Sequence, residues 1–196
     1  MIAARLLAAA ILVAALPGVA AAQSAARGAE LAAERCASCH GEAGRSRLED
    51  IPSLAGQQAE FITLQMILFR EGLRQVPAMM GIAQGLSERD MEDLAAFFAG
   101  LAPSPPEDRR IRDPALYERG RALSARMNCG VCHLQDYRGR NQVPRLAAQR
   151  EEFLARTMAE YRDGRRVGAD TQMNGAVFGV SDADLAALAH YLAQRD

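Results

Sequence analysis

The sequence predicts an all-α protein made of two tandem copies of one domain, joined by a proline-rich linker. Three observations predict it. The 196-residue chain repeats itself at about 93 residues. Its apolar residues recur at helical spacing, with no convincing strand pattern. Between the copies lies "LAPSPPEDRRIRD", Leu101–Asp113, with three prolines and a charge cluster. The divisions are residues 1–22, 23–100, 101–113 and 114–196.

The first 22 residues form a separate object. "MIAARLLAAAILVAALPGVAAAQ" has Arg5, an apolar run from Leu6 to Leu16, the breaker Pro17-Gly18, and Ala20-Ala21-Ala22 before Gln23. That pattern predicts a cleaved export signal. The apolar run is short for a membrane span. A retained N-terminal anchor is the plainer alternative. The mature chain would be Gln23–Asp196, outside the cytoplasm.

The repeat is visible segment by segment. "PSLAGQ" (Pro52–Gln57) answers "PRLAAQ" (Pro144–Gln149), and "FREGLR" (Phe69–Arg74) answers "YRDGRR" (Tyr161–Arg166). "GLSERDMEDLAAFFA" (Gly85–Ala99) answers "GVSDADLAALAHYLA" (Gly179–Ala193). In each copy a first helix is expected, over Ala25–Cys36 and Pro114–Cys129. Asp113-Pro114 supplies a capping residue and a proline at the first helical position. A middle helix is expected over Gln58–Glu71 and Arg150–Asp163, each closed by a glycine. A last helix opens on Ser87-x-x-Asp90 or Ser181-x-x-Asp184. Each domain of about 80 residues has a thin core and needs something more to fill it.

The four cysteines all lie in Cys36-Ala-Ser-Cys39-His40 and Cys129-Gly-Val-Cys132-His133. An exported chain first suggests disulfides, but each cysteine belongs to a CxxCH. Thioredoxin-like chemistry needs a βαβ context, absent here. A zinc site would need both copies to meet and leaves the other repeated residues unexplained. Covalent haem c attachment fits best. Two thiols add to the porphyrin vinyl groups and the adjacent His lies under the iron. The macrocycle would also fill the thin core.

The sixth iron ligand must come from elsewhere. His190 lies mid-helix and aligns with Ala96, which reads as a packing or surface residue. Methionine is the alternative, and it raises the potential. In "VPAMMG" and "DTQMNG", Met79 is answered by Met173, whereas Met80 is answered by Asn174. Met79 and Met173 lie 39 and 40 residues after His40 and His133, in sequence that reads as irregular loop. Simple core filling is the plainer alternative.

The order CxxCH, P-x-L-A-x-Q, [FY]-R-x-G-x-R, M, G-x-S-x-x-D and an aromatic final helix, given twice after an export signal, resembles the dihaem cytochrome c4 family. The resemblance covers nearly all of the mature chain. It implies two cytochrome c-like domains holding two covalently bound haem c. It implies thioether bonds at Cys36, Cys39, Cys129 and Cys132, proximal ligands His40 and His133, and distal ligands Met79 and Met173. It suggests that the carbonyl of Pro52 or Pro144 accepts from the proximal His. Gly28 and Gly120 look like the small residues under the crossing last helix. The second copy departs at Ala148, at the longer "LQDYRGRNQ" and at Asn174.

The implied protein is not an enzyme but a periplasmic carrier of single electrons in a respiratory chain. Its partners would be redox proteins, such as a quinol-oxidising complex or a dehydrogenase as donor and a terminal oxidase or reductase as acceptor. Peripheral association with a membrane is allowed. No basic, aromatic-rich patch suggests nucleic acid. The cytochrome subunit of a larger dehydrogenase, flavocytochrome type, is the alternative, followed by a dihaem peroxidase. Charge is uneven: Gln23–Ala102 carries 7 Arg against 11 acids and Pro103–Asp196 carries 15 against 13. Such a dipole would orient the molecule on its partners. The repeated Arg70, Arg74, Arg162 and Arg166 are candidates to neutralise haem propionates.

Overall fold

The computed structural model describes residues 24–166 and 171–196. The expected export signal therefore lies outside the described residues. So does the stretch 167–170 that precedes the second methionine segment.

Among the described residues the chain is helical, without a strand beyond one isolated bridge, Arg140 to Val143. In the first half α1 spans Ala25–Arg35, α2 Ala37–His40, α3 Ala59–Arg70, α4 Pro77–Gln84 and α5 Glu88–Gly100. In the second half α6 spans Pro114–Arg126, α7 Cys129–His133, α8 Glu151–Arg162, α9 Gln172–Ala176 and α10 Asp182–Ala193. The copies match helix for helix. No described helix is long and apolar enough to cross a membrane.

The caps follow the sequence. Ser24 caps α1 and Asp113 caps α6, its carboxylate accepting from the backbone N–H of Ala115 and Leu116. Ser87 and Asp90 form a reciprocal capping box on α5, and Ser181 accepts from the Asp184 N–H on α10. Helix ends differ from expectation by one to three residues. The largest difference is at α6, which stops at Arg126 because Asn128 turns left-handed, φ 56°. The CxxCH then starts a short helix of its own.

Each half has its own core. One gathers Ile62, Met66, Phe69, Leu86, Met91, Leu94 and Phe98. The other gathers Leu123, Tyr137, Leu154, Met158, Tyr161, Leu185, Leu188 and Tyr191. Burying a side chain such as Leu94 or Leu188 contributes roughly 1.5–3 kcal/mol. In each half the first helix crosses the last at a glycine. A Cβ on Gly28 would lie 2.0 Å from the Asp93 carbonyl oxygen, and one on Gly120 2.0 Å from that of Ala187. Backbones this close leave no room for a methyl group, as expected from the two small residues.

The longer loop of the second copy has a packing reason. Gly44 and Tyr137 occupy matching places: the carbonyl of Gly44 accepts from Leu54 and Ala55, that of Tyr137 from Leu146 and Ala147. In the first half the Phe98 ring fills the space beside Gly44. In the second half Phe98 is answered by Leu192, and the ring comes from Tyr137 instead, hydrogen-bonded to Ser124 Oγ at 2.9 Å.

The linker is stitched down rather than loose. Arg150, 4% exposed, pairs with both carboxylate oxygens of Asp108 at 2.7 and 3.0 Å. Gln194 Nε2 donates to the Arg110 carbonyl, and Pro103 covers Gly56.

Candidate functional site

Both CxxCH segments lie on short helical turns, α2 and α7, after the first long helix of each half. No disulfide joins the four cysteines. Cys36 and Cys129 are half-buried, while Cys39 and Cys132 are exposed. Burial pushes the Cys36 thiol up to about 11 and also raises that of Cys129. Among the described residues no three of His, Cys, Asp and Glu come together as a metal cluster. The two motifs do not converge on one zinc centre.

His40 and His133 are buried, and burial lowers the pKa of both, favouring the neutral ring that binds a metal. His40 Nδ1–H donates to the Pro52 carbonyl at 2.9 Å, and His133 Nδ1–H donates to the Pro144 carbonyl at 2.9 Å. These are the bonds that the family resemblance implies. They fix the tautomer and leave Nε2 of each ring without a hydrogen bond among the described residues.

Met79 and Met173 are half-buried and each packs against the core of its own half. They do not lie on irregular loop: Met79 is on α4 and Met173 on α9. Pro77 at the first helical position and the helix-forming run after it explain α4. Asn174, the counterpart of Met80, is engaged elsewhere through its amide nitrogen, while its buried Oδ1 has no hydrogen-bond partner among the described residues. Its Nδ2 donates to the Tyr161 carbonyl at 2.7 Å and the Arg166 carbonyl at 3.0 Å, closing the end of α8. Met80 Cε lies near Gly72, at the end of α3, the corresponding place.

His190 is buried and uses both ring nitrogens. Nδ1–H donates to Glu151 Oε2 at 3.0 Å, and Nε2 accepts the Asp113 backbone N–H at 2.9 Å. It ties the linker to α8 and α10 and has no nitrogen left for a metal.

The four repeated arginines separate into two pairs. Arg70 and Arg162 brace the start of the last helix, through Glu88 and Asp182. Arg74 and Arg166 meet across the halves at one neutral acceptor, Gln65 Oε1, at 2.7 and 3.2 Å. Neither makes an ion pair among the described residues. Burial, then the neighbouring Arg166, pushes Arg74 down to about 9, and burial lowers Arg166. A half-buried and a buried guanidinium, with Glu160 as a nearby carboxylate but no ion pair, favour an added anion. Haem propionates would supply that charge, so the donor set fits the expected group: paired cysteines, a neutral imidazole and cations without an ion pair.

Gln57 and Gln149 close the repeated P-x-L-A-x-Q motif, which by itself shows no role for them. Both are buried at the contact between the halves. Gln57 Oε1 accepts from the Arg145 N–H at 2.7 Å, and its Nε2 donates to the Arg145 carbonyl at 3.1 Å. Gln149 does the same to Ser53, at 2.8 and 2.9 Å. Their recurrence at matching positions was the available signal; the partner residue was not readable.

Comparison with known proteins shows the family of the chain. The family profile described as "Cytochrome C oxidase, cbb3-type, subunit III" matches residues 23–98, and "Cytochrome c" matches residues 117–196. Cytochrome c4 of Pseudomonas aeruginosa is 30% identical over 195 residues, covering 96% of this chain and 97% of that protein. The thiosulfate dehydrogenase electron acceptor of Stutzerimonas stutzeri is 31% identical, covering 85% of this chain and 81% of that protein. The crystal structure of reduced recombinant cytochrome c4 from Pseudomonas stutzeri superposes with a TM-score of 0.82 at 28% identity. It covers 89% of this chain and all of that one.

Proposed function

The chain belongs to the dihaem cytochrome c4 family and is an electron-transfer protein with two covalently bound haem c; from that premise we propose that it relays single electrons in the periplasm. Cys36 and Cys39 tether one haem, Cys129 and Cys132 the other. His40 and Met79 ligate the first iron, and His133 and Met173 the second.

The observation that carries the ligand assignment is the role of Asn174. Met80's counterpart is spent on capping α8, whereas Met79's counterpart is a methionine. The haem supplies a one-electron ferrous–ferric couple. The chain does the rest. The Pro52 and Pro144 carbonyls hold each imidazole in one tautomer and orientation. Arg74 and Arg166 offset propionate charge. Helices packed round each haem would keep water away from it, so little would reorganise when the charge changes.

Export rests on the pattern of residues 1–22. Donors of the quinol-oxidising or dehydrogenase class and acceptors of the oxidase or reductase class fit a carrier with two haems in one short chain. A second reading has specific support: likeness to a thiosulfate dehydrogenase electron acceptor favours a dehydrogenase as the donor. Reduction of the purified protein by candidate dehydrogenases, with a quinol-oxidising complex in parallel, separates the two donors.

Optical and redox titration tests the ligation. Met79→Ala and Met173→Ala should each remove one Met–iron charge-transfer band, and Met80→Leu should remove none. Loss of the band in Met80→Leu, with Met79→Ala retaining it, overturns the assignment.

A further inference from the structure

The contact between the halves contains a crossed device. The peptide unit joining Pro52 to Ser53 is bonded at both ends. Its carbonyl accepts the His40 Nδ1–H, and its N–H donates to Gln149 of the other half. The peptide joining Pro144 to Arg145 repeats this, with His133 on its carbonyl and Gln57 of the other half on its N–H.

The amide orientations are fixed by chemistry. Gln149 Oε1 accepts two backbone N–H groups, those of Ser53 and Arg150, while Nε2 donates to the Ser53 carbonyl. Gln57 Oε1 likewise accepts from Arg145 and Gln58, and Nε2 donates to the Arg145 carbonyl. Both glutamines are 6% exposed, so water does not replace these bonds cheaply.

We propose that Gln57 and Gln149 are crossed positioning residues, each setting the strength of the proximal histidine in the opposite half. The inference rests on His40 and His133 being iron ligands. An N–H bonded to a good acceptor polarises its peptide, and the carbonyl at the other end becomes a better acceptor. A better acceptor draws the Nδ1 proton and makes Nε2 a stronger electron donor. Stronger donation favours the ferric state and lowers the potential. Each half therefore helps to set the other's potential, and a shift of the two halves against each other reaches both irons.

The test is potentiometric titration of the full dihaem protein carrying Gln149→Leu or Gln57→Leu. Gln149→Leu should raise the potential of the His40 haem, and Gln57→Leu that of the His133 haem. A shift of about threefold in the reduced-to-oxidised ratio at fixed poise, about 28 mV at 59 mV per tenfold, is the expected size. Nitrogen-15 chemical shifts of the two Nδ1 atoms give a second readout, moving only in the opposite half. Gln58→Leu is the control. It removes a bond between the halves of the same kind, to the Arg138 carbonyl at 2.8 Å, and touches neither peptide. Unchanged potentials, a shift confined to the mutated half, or an equal shift in Gln58→Leu each overturns the proposal. All variants should keep the low-spin spectrum of the parent. The methionine variants above test ligation separately, so the two readings fail separately.

Discussion

His190 shows how residue identity and residue role come apart. Its ring is buried, the Asp113 N–H binds its Nε2 and its Nδ1–H binds Glu151. His190→Leu removes two part-buried hydrogen bonds, to the Asp113 N–H and the half-buried Glu151 carboxylate, and should cost about 1–3 kcal/mol in all. Denaturant unfolding measures this, and both haem absorption spectra should stay unchanged. A changed spectrum would make His190 part of a haem site. The sequence could only call it a packing or surface residue, because its partners lie 39 and 77 positions away. Ala148 teaches a similar lesson. It stands where the first copy has Gly56, and both adopt left-handed backbone, φ 59° and 67°. The alanine carries strain that the sequence showed only as a departure.

The crossing of first and last helices is the tightest contact between elements. Gly28→Ala forces α1 away from α5 and should destabilise the first half by about 3 kcal/mol. Thermal melting followed at each haem would register the loss in the first half. The start of α5 carries a pH response. Hydrogen bonds from Ser87, then from Arg27, hold the Asp90 carboxyl down at about 2, and the Asp93 carboxyl is lowered by the Ser24 N–H and Arg27. Both groups are depressed in the folded state. Their stabilisation is fully present above about pH 4, the unfolded carboxyl range, and is lost as pH falls towards 2. Melting temperature should decline through that window, and Asp90→Asn should flatten the decline. Caps and periodicity made these helices legible, since each is a local code of three or four residues. The segments of α4 and α9 look like loop in the sequence because the helices are short, of eight and five residues. So short a periodic signal does not stand out.

At the scale of the whole molecule, Arg150 joins the halves and the linker. It reaches the Ser46 carbonyl at 3.0 Å and both carboxylate oxygens of Asp108. Arg150→Ala removes charge-assisted bonds of about 1.5–3 kcal/mol in aggregate. Calorimetry should show one unfolding transition in the parent resolving towards two in the variant. A single sharp transition in both would mean that the glutamine clasp and core contacts suffice. The sequence by itself determined the duplication, the all-helical class, the two haem-attachment motifs and the pairing of Met79 with Met173. Each of these is a matter of spacing within one copy or of likeness between copies. Only the tertiary structure decided which repeated polar residues face the other half. Gln57 and Gln149, and Arg74 and Arg166, recur at matching positions just as surely as Arg70 and Arg162 do. A repeat fixes what each copy looks like, but not how the copies pack. Hydrogen bonds spanning 88 to 101 residues are set by that packing alone.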